Sequence, residues 1–411
     1  MASANVNSLH RRFLLSILVF CAPILLLVSF EELVFYRGGE TWTIEQVSRD
    51  QRSRADSLFL RRLFDQQFYL YKFNEVRRRE PEVLALGSSR VMQFRAAMFG
   101  ADGQSFYNAG GMIQCVGDLT LVLKQMPDLR PRVVILGVDI WWLNNDWDKA
   151  NLDNSDRGSA HPTDAAISWE AHLLALRRIW LNEGDVFKSW KRYLEVLLSP
   201  RENRVGLAAQ LDNCGFRATD GSYAFPPNES PSPESLERLS AIHLRRIAEE
   251  DMQFLPSPGL SPRLLNELRG DLLELNRRGV LVIGFLPPFS SPVVRALEGS
   301  KHQKDLWHQY AREIPALFAE LNLPCIDAST STNLGLDDRY MRDGVHAMET
   351  FHLYLLRAML DDPRVERALP TARGSVTNAL ASHLTDAWHP DLSLSAGTFE
   401  RKGSVPGNVN F

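Results

Sequence analysis

Three residues far apart in the sequence carry the side chains that acyl transfer requires. Ser89 lies in LALGSSRV, where a short apolar run predicts a buried strand followed by a tight turn. Asp343 and His346 lie in the segment MRDGVHAMETF, on a loop that leads into an apolar-rich helix beginning near Met348. Taken alone, each motif is more typical of a turn or a helix cap. Together they predict a serine nucleophile with a histidine base that is oriented by a carboxylate.

The elements that must position these residues are five short apolar segments. They are VLALG (83–87), SFYNAG (105–110), RVVILGVD (132–139), GVLVIGFLPP (279–288) and LPCIDAS (323–329). Such runs are typical of buried parallel strands, and helical stretches such as 262–278 lie between several of them. Strands alternating with helices predict a mostly parallel sheet with helices on both faces, a three-layer α/β/α fold. Because ligands bind beyond the carboxyl ends of such strands, Ser89 is expected at the ligand-binding edge.

The N-terminal segment predicts a membrane anchor. Residues 13–30 carry no charge, and eighteen residues at about 1.5 Å each span roughly 27 Å, close to the thickness of the bilayer hydrocarbon. Arg11 and Arg12 precede this run, while Glu31 and Glu32 follow it. The positive-inside rule therefore predicts a single pass through the inner (cytoplasmic) membrane, with residues 1–12 cytoplasmic and the main domain extracytoplasmic, in the periplasm. No small-x-small cleavage site follows the run, which favours an uncleaved signal-anchor over a signal peptide.

The rest of the chain divides by pattern into three parts. Residues 31–80 are charged and predict a stalk or first helix, and residues 81–369 hold the α/β domain. The segment 143–260 interrupts the strand–helix alternation and is interpreted as an insertion that forms a cap or part of a substrate cleft. Residues 370–411 show weak periodicity and predict a poorly ordered tail.

Composition excludes several classes of function. The chain has 411 residues and a formal net charge of -4, so it lacks the basic signature of a nucleic-acid partner. Cys115, Cys214 and Cys325 form no C-x-x-C pair, and we expect them to be unpaired, although export would permit one disulfide among them. No His/Cys/Asp/Glu cluster has metal-ligand spacing, so neither a metal nor a cofactor is predicted.

In chain order, four motifs resemble the conserved blocks of the SGNH/GDSL hydrolase superfamily. The matching segments are Gly87-Ser88-Ser89, the NAGG at 108–111, Gly137-Val138-Asp139 and the Asp343–His346 pair. The resemblance implies Ser89 as nucleophile, with His346 and Asp343 completing the triad. It also implies an oxyanion hole that includes the amides of Ser89 and Gly110. The expected fold is a three-layer, mostly parallel, flavodoxin-like domain preceded by one transmembrane helix.

The third motif departs from the family pattern at Asp139. The family has an asparagine there, and a carboxylate would repel an oxyanion where the asparagine would donate to it. Unless Asn144 or Asn145 reaches in, or Asp139 is protonated, two oxyanion donors remain of the usual three. Losing one donor typically costs about 10² to 10³ in rate.

The overall arrangement resembles one branch of the superfamily. An N-terminal anchor, a GSSR first block and an IGFLPP fourth strand are similar to proteins that accompany membrane-bound O-acyltransferases in alginate O-acetylation and teichoic-acid D-alanylation. The resemblance implies an O-acyltransferase or O-acylesterase acting on an extracytoplasmic cell-envelope polysaccharide such as an exopolysaccharide. Expected partners are that polymer or another acyl acceptor, and a membrane-bound O-acyltransferase. Two alternatives stay open: a catalytically weak or inactive scaffold that docks to the acyltransferase or binds polymer, and a small-ester lipase or thioesterase.

Four side chains near the predicted site are candidates for substrate contact. Arg90 is positioned to bind a carboxylate or phosphate of the acceptor, although a structural salt bridge fits equally well. Trp141 and Trp142 follow the third strand and either stack on sugar rings or pack in the core. Asn144 is a candidate because it follows the same strand.

Overall fold

The strands of the main sheet are the segments whose apolar runs predict burial. The structure is a computed structural model that describes residues 2–63, 68–153, 185–226 and 232–383, together with Leu173 and Arg177. The strands are β1 (Leu58–Phe59), β2 (Val83–Gly87), β3 (Phe106–Gly110), β4 (Val133–Gly137), β5 (Arg204–Val205), β6 (Gly215–Arg217), β7 (Tyr223–Ala224), β8 (Leu281–Leu286) and β9 (Cys325–Asp327).

Helices occupy most of the described chain between these strands. They are α1 (Ala2–Gly38), α2 (Ile44–Ser53), α3 (Phe68–Arg79), α4 (Val116–Gln125), α5 (Asn145–Asp153), α6 (Asp185–Leu198), α7 (Leu207–Asp212), α8 (Pro233–Glu249), α9 (Pro262–Arg277), α10 (Ser291–Gly299), α11 (Lys304–Glu320), α12 (Glu349–Met359), α13 (Pro363–Ala368) and α14 (Ala372–His383). The predicted mixed α/β class is confirmed.

The five-stranded sheet has the order β3-β2-β4-β8-β9, and every neighbouring pair is parallel. The predicted parallel sheet is thereby confirmed. Gly87 at the end of β2 pairs with Gly110 at the end of β3. The chain passes from β2 to β3 on one side and then to β4 on the other, so the order reverses at the carboxyl end of β2. Ligands of open α/β sheets bind at such a reversal.

Both faces of this sheet are buried. Leu84 and Leu86 of β2 join one hydrophobic cluster, which also contains Leu119 of α4 and Leu268 of α9. The alternate residues of β2 join a second cluster, which also contains Phe351 of α12. Because alternate side chains of a strand point to opposite faces, burial on both faces explains why the strands read as continuous apolar runs.

The C-terminal part of the described chain corrects one prediction. Residues 372–383 form α14, whereas the sequence predicted a poorly ordered tail from residue 370. Ala372, Val376, Ala379 and Leu380 of this helix are buried in the second cluster. Their spacing is helical, but two of the four are alanines, which give only a weak apolar signal. Residues 384–411 of the predicted tail lie outside the described residues.

By its contacts, the chain divides into two units. The first contains Met1–Asp65 and Ala165–Asn213, and the second contains Gln66–Asp164 and Cys214–Phe411. The first unit thus combines the N-terminal helix with part of the predicted insertion 143–260, and β1 pairs there with β5. The second unit contains the five-stranded sheet and the antiparallel pair β6–β7.

Helix α1 is long and apolar enough over His10–Gly38 to cross a membrane. A signal sequence passes the same test of length and composition. The predicted apolar helix at the N-terminus is confirmed, and it extends beyond both ends of the predicted span 13–30.

Three neighbouring strands end in glycine, and the side chain of Val91 lies close to all three. A Cβ at Gly87, Gly110 or Gly137 would lie 2.7, 2.9 or 2.5 Å from a methyl carbon of Val91. Val91 belongs to the 3₁₀ turn Ser89–Val91, which follows β2 directly. The glycines therefore leave the space into which this turn folds, against the carboxyl edge of the sheet.

We expect Gly137→Ala to lower the free energy of unfolding by about 1 to 3 kcal/mol, since its Cβ would overlap Val91. The matched control is Gly270→Ala inside α9, where a Cβ meets nothing within 4 Å and is expected to stabilise the helix by about 0.5 to 1 kcal/mol. Urea unfolding measures both. In a Val91→Ala background the cost of Gly137→Ala is expected to shrink; an unchanged cost would contradict the overlap with Val91.

Candidate active site

The turn after β2 exposes a hydroxyl and an amide at the edge of the sheet. Ser88 caps this turn, because its Oγ accepts the Arg90 N–H at 3.3 Å. Among the described residues, the N–H of Ser89 has no hydrogen-bond acceptor. A free N–H beside a serine hydroxyl is the kind of donor that stabilises a developing oxyanion.

Ser89, His346 and Asp343 lie in one hydrogen-bonded chain. Ser89 Oγ is 2.8 Å from His346 Nε2, and His346 Nδ1 is 2.7 Å from Asp343 Oδ2. Asp343 Oδ1 accepts the backbone N–H of Val345 at 2.8 Å and that of His346 at 2.7 Å. The short Asp-x-x-His loop therefore fixes both carboxylate oxygens. This geometry permits His346 to remove the hydroxyl proton of Ser89 while Asp343 holds the imidazole in place.

The carboxyl group of Asp343 is held in its charged form. Burial alone would raise its pKa, but the charge and hydrogen bond of His346 lower the pKa below its ordinary value. The two backbone N–H donors act in the same direction. An ionised Asp343 is what a histidine base needs, because it stabilises the imidazolium that forms when His346 takes a proton.

A second histidine, which the sequence reasoning missed, faces the same carboxylate. His243 Nε2 of α8 lies 3.8 Å from Asp343 Oδ1, and the residue is 6% exposed. Burial lowers the pKa of His243 to about 4, against the attraction of Asp343. A neutral His243 leaves the charge of Asp343 available to His346. The spacing of residues in the sequence could have indicated the burial of His243. It lies between Ser240 and Ile247 on the buried side of α8, where it interrupts an apolar pattern.

His243, Asp343 and His346 each offer a ligand atom within 4.8 Å of the others, which is a possible metal set. The 2.7 Å separation of His346 Nδ1 and Asp343 Oδ2 is a hydrogen-bond length. Two ligands of one tetrahedral zinc ion would lie about 3.3 Å apart. The geometry therefore favours a hydrogen-bonded relay at this pair.

Arg90 does not point toward a substrate. The residue is 2% exposed, and Nη1 donates to Asp139 Oδ1 at 2.9 Å. Nε donates to the carbonyl of Val345 at 3.0 Å, and Nη2 donates to that of Pro288. Of the two interpretations of Arg90, the structural salt bridge fits this arrangement. The guanidinium ties the serine turn to the loop that precedes His346.

Asp139 is also committed to this ion pair, which corrects its expected place in the oxyanion hole. It is fully buried, and burial raises the pKa of its carboxyl group even with the Arg90 guanidinium beside it. Asn144 does not replace it, since its amide donates to the carbonyl of Leu255 and its oxygen caps α5. Asn145 accepts from Ser261 and Arg263.

The N–H of Gly110, the second expected oxyanion donor, is occupied. It donates to Asn108 Oδ1 at 2.8 Å. The amide nitrogen of Asn108 in turn donates to the carbonyls of Val91 and Phe94. Asn108 thus links the end of β3 to the turn that carries Ser89, and Ser89 remains the one expected donor whose N–H is free among the described residues.

The two candidate tryptophans are core residues. Trp142 is fully buried and Trp141 is 5% exposed. Trp141 makes edge-to-face contacts with Phe254 and Phe289. Neither indole ring is available to stack on a sugar, so packing is the correct interpretation.

No protein-family model and no curated protein matches this chain. The site itself offers a hydroxyl, an imidazole and a charged carboxylate in one hydrogen-bonded chain. None of the four cysteines, all of which lie among the described residues, forms a disulfide.

We expect Arg90→Met to lower the free energy of unfolding by about 3 to 5 kcal/mol, because it leaves the buried Asp139 unpaired. Asp139→Leu is expected to lower the free energy of unfolding by a similar amount, because it leaves the buried Arg90 unpaired. The double variant is expected to cost clearly less than the sum of the two single variants. Urea unfolding of all four proteins measures the coupling, and additive costs would contradict a direct ion pair.

His243 gives a pH-dependent prediction. Its folded pKa of about 4 lies below the ordinary 6.5, so the folded chain binds fewer protons than the unfolded chain in that interval. Its stabilising contribution is complete above about pH 6.5 and is lost as the pH falls through about 4. Between about pH 7.5 and pH 4.5, His243→Gln is therefore expected to lose about 2 kcal/mol less stability than the wild type.

Unfolding at the two pH values measures this difference. The matched control is His308→Gln, an exposed histidine on α11, which is expected to behave as the wild type does. Equal losses in wild type and His243→Gln would show that His243 is not buried in its neutral form.

Proposed function

We propose that this chain is a membrane-anchored SGNH/GDSL-type acyl-transfer enzyme that acts on an extracytoplasmic cell-envelope polysaccharide. The observation that carries the proposal is the hydrogen-bonded chain from Ser89 Oγ through His346 to Asp343, with contacts of 2.8 and 2.7 Å. A serine in a strand-end turn that meets a histidine in a late Asp-x-x-His loop is the arrangement that the SGNH resemblance implies.

The reaction begins with attack of Ser89 Oγ on the carbonyl carbon of an acyl ester. His346 Nε2 takes the hydroxyl proton, and the imidazolium is stabilised by Asp343. The tetrahedral intermediate collapses when His346 returns the proton to the leaving alkoxide, which departs as an alcohol. The acyl-enzyme is then resolved by the reverse sequence, with a sugar hydroxyl in a transferase or with water in an esterase.

The same geometry favours a slow enzyme. The Ser89 amide is the available oxyanion donor, since the N–H of Gly110 donates to Asn108 and Asp139 pairs with Arg90. Each missing donor costs about 10² to 10³ in rate. This observation also supports the second candidate, a weak or inactive scaffold that docks to a membrane-bound O-acyltransferase or binds polymer. A fast small-ester lipase or thioesterase fits less well.

We also propose that the domain with the five-stranded sheet has a three-layer, flavodoxin-like fold. Burial of both faces of the β2 strand, against α4 and α9 on one side and α12 on the other, supports a three-layer, flavodoxin-like domain. A membrane anchor with the main domain in the periplasm is supported by α1, which continues as one helix past the apolar run to the buried residues Val34 and Phe35. Because these two residues form part of a core, an uncleaved α1 is favoured.

The deciding experiment is activity-based labelling of the full chain in detergent with a fluorophosphonate, together with release of p-nitrophenol from its acetate ester. Ser89→Ala and His346→Ala are expected to lose at least 10² of the labelling rate, because they remove the nucleophile and its base. Ser53→Ala, which removes an exposed hydroxyl at the end of α2, is the control and is expected to retain labelling. Equal, negligible signal in all four folded proteins would favour the scaffold.

A further inference from the structure

Helix α6 carries an apolar stripe that is exposed. Trp190, Leu194 and Leu198 are spaced four residues apart and therefore lie along one side of the helix. Trp190 is 51% exposed and Leu198 is 68% exposed, while Leu194 is half-buried. We call these three residues the α6 stripe. It lies beside, and not on, the buried face of the helix, which is formed by Tyr193 and Val196.

The buried face of α6 packs against the end of α1 in the same unit. Tyr193 and Val196 share a hydrophobic cluster with Val34 and Phe35. Arg37 Nε of α1 also donates to the carbonyl of Leu197 at 3.3 Å. The buried residues of this contact lie at the turn of α1 that contains residues 34 and 35, and the partly buried Leu27 and Phe30, one to two turns earlier, pack against the same cluster.

Residues 34 and 35 lie at the depth of the lipid headgroups if α1 spans a membrane. The centre of the uncharged run 13–30 lies about 13 residues before residues 34 and 35, and at 1.5 Å per residue this is roughly 20 Å along the helix. The hydrocarbon core ends about 15 Å from the bilayer centre, and the headgroup region extends to roughly 20 to 22 Å. The buried part of the α6 contact therefore falls within the headgroup region, and Leu27 and Phe30 lie on its hydrocarbon side.

We propose that the α6 stripe inserts into the headgroup region of the membrane that α1 spans, which makes α6 a second, interfacial anchor. This inference rests on the proposed anchoring by α1. The composition fits a lipid surface: an exposed tryptophan and leucine lie on one stripe, and Lys191 lies beside them with its ammonium 5.8 Å from the centre of the Trp190 ring. Tryptophan and lysine are typical of membrane–water interfaces.

The test uses the full chain in lipid nanodiscs whose lipids carry bromine either near the headgroup or near the end of the acyl chain. Bromine quenches tryptophan at contact distance. We expect headgroup-proximal bromine to quench a component of the emission that is lost in Trp190→Phe. Trp147→Phe, which changes a tryptophan bonded to the Gln114 carbonyl, is the matched control and is expected to keep that component.

A second pair of variants leaves the tryptophans intact. Leu198→Glu places a charge on the α6 stripe and is expected to reduce the quenching of Trp190 at least twofold. Ser199→Glu adds the same charge one residue away, off the stripe, and is expected to leave the quenching unchanged.

Quenching that is identical in wild type and Trp190→Phe would overturn the inference while leaving the α1 anchor and the catalytic proposal standing. A chain that does not remain in the discs would overturn both the anchor and the inference. Cross-linking between two copies that Leu198→Glu abolishes, without quenching of Trp190, would assign the stripe to self-association and overturn the lipid assignment.

Discussion

The candidate site depends on one buried guanidinium. Arg90 follows Ser89 and bonds to Asp139 after β4, to the carbonyl of Pro288 after β8, and to the carbonyl of Val345 just before His346. Four segments that are distant in sequence thereby meet at one planar group. A flexible ammonium would lack the fixed fork of donors that reaches three acceptors at once. The distance between Ser89 and His346 is therefore set by a residue that performs no chemistry itself.

The three residues of the turn that carries the serine, Ser89 to Val91, point in different directions and make different contacts. In a 3₁₀ turn successive side chains point about 120° apart. Ser89 directs its hydroxyl to His346, Arg90 crosses to the neighbouring loops, and Val91 packs against the three strand-end glycines. A larger residue at Gly87 or Gly137 would press on Val91 and hence on the turn, and one at Gly110 would also meet Asn108 and Met92. A glycine at the end of each of these strands is thus a condition for the site as well as for the sheet.

Local patterns in the sequence were sufficient to predict the strands, the parallel sheet and the residues of the serine–histidine–aspartate chain. Those features depend on short apolar runs and on motifs of a few residues. The roles of Arg90, Asp139 and Gly110 could not be predicted, because each is decided by a partner from another segment. His243 lies about 100 residues from Asp343, and only the fold of α8 brings them together. Helix α14 was missed because alanine contributes little to an apolar pattern.

The pairing of Asp139 with Arg90 changes the electrostatic argument against catalysis. An isolated carboxylate at this strand end would oppose a developing oxyanion at Ser89. With the guanidinium 2.9 Å away, the field of the pair is that of a dipole, which falls off more steeply with distance than that of a charge. Asp139 then provides no hydrogen-bond donor to the oxyanion, but it repels the oxyanion less than an isolated carboxylate would. In the proposed reaction, Ser89 and the bonded His346 would supply nucleophile and base beside an ionised Asp343. With one free amide, the site would lower the barrier less than a complete oxyanion hole does.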